Sequence, residues 1–441
     1  MLSGKKLLFF INPPYGTSGE MSSASTGKVK KEGIATSETN ILMQRNKIGA
    51  CSQQLYAQFL YRIHLLGILF NLDYKVGLFS PSLIMTGVQF DWFRKQGLRD
   101  KFIDGFFFQA CQFADVKGNW CISFTLWGNV GSNLYRLEAK DYSMSTILTI
   151  GSKDLYSLDK DFKASSWAKS KSGLNKEQYK TFTMSNALTV TDGECGYAGN
   201  LLGYGVMDTN IVEKNTQFVM LLNRKLKGHL SSYPIIKSNF SDIMSYYSAR
   251  RLITGQYATW INCKDEYRIP NITHILYNQW NNDCIVYSLF NVASNLSSLR
   301  DINYSSTKCD ILNSFFFMSI NEINQLALGP SPNDTVYTDI QNNAKEERFV
   351  YTKLKGTTLS ADATLVLYKA RELTVTSFKY RKYFAQEHPE YHINTWDAGW
   401  YQIKGLLKAY MPEGLKEFNN LYKQLENRMR PLVYELGFLY K

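Results

Sequence analysis

The chain has 441 residues, a formal net charge of +12 and 44% hydrophobic residues. That length and apolar content exclude a disordered or very small protein and leave room for two or three packed domains. The basic excess, with 14% aromatic residues, suits a polyanionic partner with stackable faces, and nucleic acid meets both terms.

Seven cysteines, at 51, 111, 121, 195, 263, 284 and 309, form no CxxC pair and read as reduced intracellular thiols. The five histidines (64, 229, 274, 388, 392) show no ligand spacing, so no metal is expected. Lys5-Lys6 followed by Leu7–Ile11 imitates a signal peptide, but that apolar core is too short for one. No uncharged stretch is apolar enough to span a bilayer; Gly118–Tyr135 is broken by Asn, Ser, Thr and Gly. The expectation is a cytoplasmic protein with no membrane contact.

In chain order, Leu7–Ile11 reads as a buried strand, and it ends in Asn12-Pro13-Pro14-Tyr15. That ending suits an exocyclic amine or an amide. Asn12 offers a side-chain carbonyl and Pro13 a backbone carbonyl, so two acceptors can meet one NH2 group. The prolines stiffen the backbone and remove competing N–H donors, and Tyr15 supplies a flat face for stacking. Residues 16–50, rich in Ser, Gly, Thr and Lys, read as a long loop. A helix is predicted near 51–66, where Leu55, Tyr56, Phe59, Leu60 and Ile63 make one apolar face. Tyr74–Ser80 reads as a strand stopped by Pro81, Phe90–Lys95 as a helix, and Phe102–Phe108 and Trp120–Trp127 as two more strands. Strand, helix, strand, helix, strand, strand is half of an α/β sheet closed by a reversed hairpin.

From about 130 to 360 helical periodicity fades into mixed aromatic, Asn- and Ser-rich segments, with a turn-rich loop at Gly329–Asp334. Beyond 400, Leu406, Leu407 and Tyr410, then Phe418, Leu421, Tyr422, Leu425 and Met429, indicate one or two amphipathic helices. There is no solenoid repeat. The Gly-rich segment Gly193–Gly205 follows a strand-like Ala187–Thr191, but its GxxGxxxGxG spacing is a weak cofactor signal.

Asn-Pro-Pro-Tyr, the helix with Gln53-Gln54-Leu55-Tyr56-Ala57-Gln58-Phe59, the strand ending Phe79-Ser80-Pro81-Ser82 and the hairpin ending at Trp127 together resemble one family. It is the DNA adenine N6-methyltransferases of bacterial restriction–modification systems. The resemblance continues through Gly196–Asn200, Arg250-Arg251-Leu252-Ile253, Trp260-Ile261-Asn262, Tyr287–Phe290, Asn313 with Phe315-Phe316, and Val433–Leu439. It places Gly193–Gly205 in the DNA-recognition part and leaves the cofactor-binding residues unassigned.

The resemblance implies an α/β fold: a partial class I methyltransferase (Rossmann-like) sheet, then a mixed α+β target-recognition region and C-terminal helices. The expected domains are a catalytic half over 1–135, a DNA-binding target-recognition region over 136–360 and a C-terminal helical region over 361–441. It implies a sequence-specific enzyme that flips an adenine out of double-stranded DNA and methylates it from S-adenosylmethionine. Asn12, Pro13, Pro14 and Tyr15 would be catalytic, Tyr15 and Trp127 would stack on the base, and Phe124 is the fallback for the second face. Arg250, Arg251, Lys369, Arg371, Lys379, Arg381 and Lys382 would contact the DNA backbone.

In the family the Gly-rich cofactor loop precedes Asn-Pro-Pro-Tyr, yet here eleven residues precede Asn12, and no Phe-x-Gly-x-Gly follows. The expectation is the carboxyl-terminal part of a split or truncated methyltransferase, with a separate chain as one source of the S-adenosylmethionine-binding half. Without that half, Leu7–Ile11 would be an exposed apolar edge strand. The alternatives are a non-catalytic DNA-specificity module, or a methyltransferase acting on RNA or on a protein glutamine. No nuclease-type pair of carboxylates with a nearby Lys stands out.

Overall fold

The computed structural model describes residues 6–15, 36–98, 100–112, 120–170, 201–207, 209–217, 219–222, 232–294, 314–327, 347–391, 393 and 399–440. The chain forms two compact units. The first comprises Met1–Asp161, Ile211–Glu213 and Gly255–Glu266; the second comprises Phe162–Asn210, Lys214–Thr254 and Tyr267–Lys441. Two short returns of the later chain thus belong to the first unit, so its limits are not those of the sequence segments 1–135 and 136–360.

The first unit is α/β, with a mixed six-stranded sheet compatible with a Rossmann-like sheet. Its strands are β1 (Lys6–Ile11), β2 (Asp73–Pro81), β3 (Lys101–Gln109), β4 (Cys121–Gly128), β5 (Tyr135–Asp141) and β6 (Leu148–Leu155), in the order β1-β2-β4-β3-β5-β6. β1 runs parallel to β2, with Phe9 opposite Val76. β4 is antiparallel to both neighbours and sits between β2 and β3. The reversed hairpin expected from Phe102–Phe108 and Trp120–Trp127 is therefore present. β5 pairs parallel with β3, and β6 closes antiparallel on β5; these two strands lie in the stretch whose pattern looked mixed.

Parallel neighbours need a long crossover, which here contains α1 (Glu38–Arg45) and α2 (Leu55–Leu69). α1 corrects the reading of 16–50 as loop throughout; residues 16–35 lie outside the described residues. Ser37 caps α1 by accepting the Asn40 N–H at 3.0 Å, and Glu38 and Arg45 stand at the ends where the helix dipole favours them. α2 buries Tyr56, Ala57, Leu60, Tyr61 and Ile63 against Val76, Leu78, Phe102, Phe107 and Trp127. Gly67 permits that fit, since a Cβ there would lie 2.1 Å from the Tyr74 ring. The helix expected over Phe90–Lys95 is present: a 3₁₀ turn, Val88–Phe90, leads into helical backbone at Asp91 and Trp92 and a π-helix over Phe93–Gly97. Arg94 stitches this region by donating to the Ile84 and Gly87 carbonyls at 2.9 and 3.0 Å. A four-residue helix, α3 (Leu83–Thr86), follows β2.

β1 is an edge strand, and its alternation is visible in its burial. Leu7, Phe9 and Ile11 pack on the α2 core, whereas Leu8 and Phe10 are each 65% exposed. An exposed apolar edge invites pairing with another strand. Leu8→Lys should therefore lower concentration-dependent association of the chain, read by sedimentation velocity, while moving stability by no more than about 0.5 kcal/mol. Unchanged association would show that this edge does not drive it.

Burial also sets one acid–base expectation in this unit. Asp265 is 8% exposed and pairs with Lys153 of β6 at 2.6 Å. Burial outweighs the lysine and pushes its carboxyl up to about 6 from an ordinary 3.8. The folded state then holds the proton more tightly than the unfolded chain. Its contribution to stability is fully present below the ordinary value and lost as pH rises through 6, about 3 kcal/mol over that window. Urea titrations at pH 4 and pH 6.5 should show this slope in the wild type and a much flatter one in Asp265→Asn.

The second unit has a three-stranded antiparallel sheet, ordered β8-β7-β9, from β7 (Leu201–Met207), β8 (Val219–Leu222) and β9 (Ser232–Ile236). Its helices are α4 (Ala164–Ser170), α5 (Phe240–Leu252), α6 (Tyr277–Phe290), α7 (Ile320–Ala327), α8 (Phe349–Leu354), α9 (Ala361–Ser377), α10 (Arg381–Glu387), α11 (Trp400–Tyr410) and α12 (Pro412–Glu435). The last two are the helices predicted beyond 400, and Pro412 sits in the first turn of α12, where its missing N–H costs nothing. α5 and α6 show why the middle of the chain looked mixed. Both are buried nearly all round, including Ser245, Ser248 and Arg250 of α5 and Asp283 and Ser288 of α6, so no single apolar stripe marks them.

Candidate active site

Asn12 follows the last residue of β1, at the carboxyl end of the strand, the edge where open α/β sheets bind ligands. Its side chain is exposed, Pro13 is buried, Pro14 is exposed and Tyr15 is half-buried. Tyr15 packs against Phe108, Ala110 and Ile122, beside Phe79, Phe106, Trp120 and Tyr142. Its hydroxyl donates to Asn12 Oδ1 at 3.1 Å. Burial pushes the Tyr15 hydroxyl up to about 12, so it stays a neutral donor through the physiological range. A carbonyl oxygen has two lone pairs, so Asn12 Oδ1 keeps one acceptor position facing solvent.

The sequence residues meant to flank this site are not all brought to it. Trp127 is 2% exposed within the α2 core, and its indole N–H donates to Thr125 Oγ1 at 2.7 Å. It stands opposite Val76 near the start of β2, whereas Asn12 follows Ile11, which pairs with Leu78. The reason is strand direction. β4 is antiparallel, so its first residues, not its last, share the carboxyl edge with Asn12: Cys121 faces Gln109 and Ile122 faces Pro81. The half-buried aromatic at that edge is Trp120, which packs on the same cluster as Tyr15. Phe124 lies between, 5.6 Å from the Phe10 ring and 4.9 Å from the Phe79 ring. The reversed hairpin expected from the sequence already pointed to Trp120, and the family match pointed away from it.

The seven basic candidates separate sharply. Arg250 is 0% exposed and donates from Nε to Asn215 Oδ1 at 2.7 Å and from Nη1 to the Thr209 carbonyl at 2.5 Å. Arg381 is 1% exposed, with its guanidinium 3.8 Å from the Phe378 ring centroid. Both are core side chains out of reach of a phosphate. Arg251 bonds the Asn215 carbonyl at 3.0 Å. Lys369 is held by Glu417 at 2.6 Å and Glu372 at 3.0 Å, and Arg371 by Glu322. Lys379 and Lys382 are exposed, and Lys379 lies 4.8 Å from the Tyr380 ring.

Ala187–Thr191, Gly193–Asn200, Asn313 and Gly329–Asp334 lie outside the described residues. Gly203 and Gly205, from the same Gly-rich segment, are interior to β7, paired with Ile235 and Tyr233 of β9, so this stretch is strand rather than ligand loop. Cys51, Cys111, Cys121, Cys263 and Cys284 are free thiols. Among the described residues no group of His, Cys, Asp or Glu could hold a metal ion, and no helix is long and apolar enough to cross a membrane. Comparison with protein-family models, with curated proteins and with solved structures found no match to this chain.

Proposed function

We propose that this chain is the target-base half of a DNA adenine N6-methyltransferase. One observation carries the reading: an exposed Asn12 acceptor at the carboxyl end of a parallel strand, held by Tyr15 beside an aromatic cluster. The strand order, with antiparallel β4 inserted between β2 and β3, supports the class I methyltransferase reading of the sheet.

The residues act as follows. A flipped adenine enters over the carboxyl edge, because its amine is unreachable inside the duplex. The free acceptor position of Asn12 Oδ1 and the Pro13 carbonyl each take a hydrogen bond from the amine, which fixes the direction of the nitrogen lone pair. Tyr15 stacks on one face of the base while its hydroxyl holds Asn12 in place. Trp120 or Phe124 supplies the second face, in place of Trp127.

S-adenosylmethionine is the methyl donor in this reading, but the described residues do not fit it. They offer no Gly-rich loop beside β1, and Gly203 and Gly205 are committed to β7. In this reading the donor is held outside the described residues, and the exposed edge of β1, with Leu8 and Phe10 outward, is a place where a cofactor-binding half would pair. The +12 charge suits double-stranded DNA as the other partner.

The test restores the enzyme with a separately supplied cofactor-binding half and follows a radiolabelled methyl group into duplex DNA, RNA and a glutamine-containing peptide. Label on adenine N6 of DNA is expected. Label only on RNA or peptide would transfer the site to the corresponding alternative, and none on any substrate, with DNA still bound, would leave a specificity module.

A further inference from the structure

The second unit carries a cleft separate from Asn12, of about 310 Å³, bounded by the carboxyl end of α6 and by α11. Its floor follows from the sequence of α11. Tyr401, Lys404 and Lys408 recur at helical spacing and share one face, and all three line the cleft. Gly405, beside Lys404, lets the Tyr391 ring lie directly on the helix; a Cβ there would meet Tyr391 Cε1 at 2.4 Å. Tyr391 and Tyr401 then stack, with centroids 5.4 Å apart and planes 26° apart. Trp400 makes the apolar back wall, its ring 4.9 Å from that of Phe290.

A further feature points to a ligand. Lys404 is half-buried and Lys408 exposed, and neither meets a carboxylate among the described residues, unlike Lys369 with its two glutamates. Aromatic faces and two unneutralised cations at one place match a molecule with a flat ring and an anionic group. The volume is at the small end of ligand pockets, which run from roughly 300 to 1,000 Å³.

We propose that this cleft binds one nucleotide, with its base on the Tyr391–Tyr401 platform and its phosphate on Lys404 and Lys408. The chemistry is shared by a free mononucleotide and by a nucleotide in a single strand. It does not depend on the methyl-transfer reading, since no lining residue belongs to that site.

The test is calorimetric titration of the full chain with adenosine 5′-monophosphate, with a ten-residue deoxythymidine oligonucleotide and with inorganic phosphate. Either of the first two should bind. Saturable binding of the mononucleotide assigns the free ligand, and binding of the oligonucleotide alone assigns a strand. The double variant Lys404→Glu/Lys408→Glu should weaken the binding at least tenfold and Tyr401→Ala at least fivefold. Tyr401→Phe and the exposed Lys416→Glu on α12 should leave it within twofold, with thermal unfolding checked for each. Asn12→Ala should leave it unchanged, so this site and the methyl-transfer site fail independently. Absence of binding in both arms, indifference to the lysine reversal, or phosphate binding as tightly as the nucleotide would overturn the proposal.

Discussion

Asn12→Ala is expected to cut methyl transfer in the restored enzyme by a factor of 10² or more, roughly 3 kcal/mol of barrier, with duplex affinity nearly unchanged. The acceptor it removes is preorganised: Tyr15 already holds Asn12 Oδ1 at 3.1 Å, so no reorganisation is needed when the amine arrives. Affinity should survive because phosphate contacts dominate it. Folding should survive too, since Asn12 is exposed and its one internal partner is the Tyr15 hydroxyl. Tyr15 separates the two parts of the site. Tyr15→Phe keeps the ring but frees Asn12, which should cost about 1 kcal/mol. Tyr15→Ala also loses the stacking face, a further 1–3 kcal/mol or roughly that. Because burial pushes the Tyr15 hydroxyl up to about 12, its titration should leave the rate flat from pH 7 to pH 10. Single-turnover methylation beside equilibrium DNA binding reads all of these. Wild-type turnover in Asn12→Ala would remove the catalytic reading of the motif.

How much of this was legible in the sequence depended on how each element is buried. β1 and α2 were readable because each has one face in the core and one outside it, which leaves a period of two or a helical stripe; β4 has no exposed residue and was read from the alternation of Trp120, Ile122, Phe124 and Leu126 with Cys121, Ser123 and Thr125. α5 and α6 have no outside face to speak of, and their buried polar residues break the pattern. Strand pairing is a different kind of information. The expected reversed hairpin already runs Trp120–Trp127 against Phe102–Phe108, whereas the choice of Trp127 followed the family match and not that direction. The pairing of Val76 with Trp127 places Trp127 at the other edge from Asn12. Charge was the least legible property, because an arginine reads as surface until its neighbours are known. Asn215, the partner that buries Arg250, is thirty-five residues away in the chain. The site motif itself was legible because four consecutive residues carry it, and local geometry needs no distant partner.

Arg250→Ala is therefore expected to act on folding of the second unit and to destabilise it by about 3–5 kcal/mol. The guanidinium is fully buried and satisfies three groups at once: Asn215 Oδ1 at 2.7 Å, the Thr209 carbonyl at 2.5 Å and the Tyr246 hydroxyl at 3.1 Å. It also lies 5.6 and 5.5 Å from the Tyr246 and Tyr267 ring centroids. Truncation leaves buried acceptors without donors, at about 1–3 kcal/mol each, and opens a cavity between two tyrosines. The damage should spread through Asn215, whose amide donates to the Ile253 carbonyl at 2.9 Å and to the Tyr267 hydroxyl at 2.7 Å. Arg250→Lys should recover only part of the loss, because an ammonium cannot reproduce the planar fork. The exposed Lys379→Ala, by contrast, should stay within about 0.5 kcal/mol of wild type. A residue that contacts a phosphate behaves in the opposite way: its loss leaves the fold intact and makes the log–log salt dependence of DNA binding shallower by about one. Urea unfolding and salt-dependent duplex binding, measured together, discriminate the two. An Arg250→Ala chain with the wild-type unfolding midpoint and a shallower salt slope would return this arginine to the DNA surface.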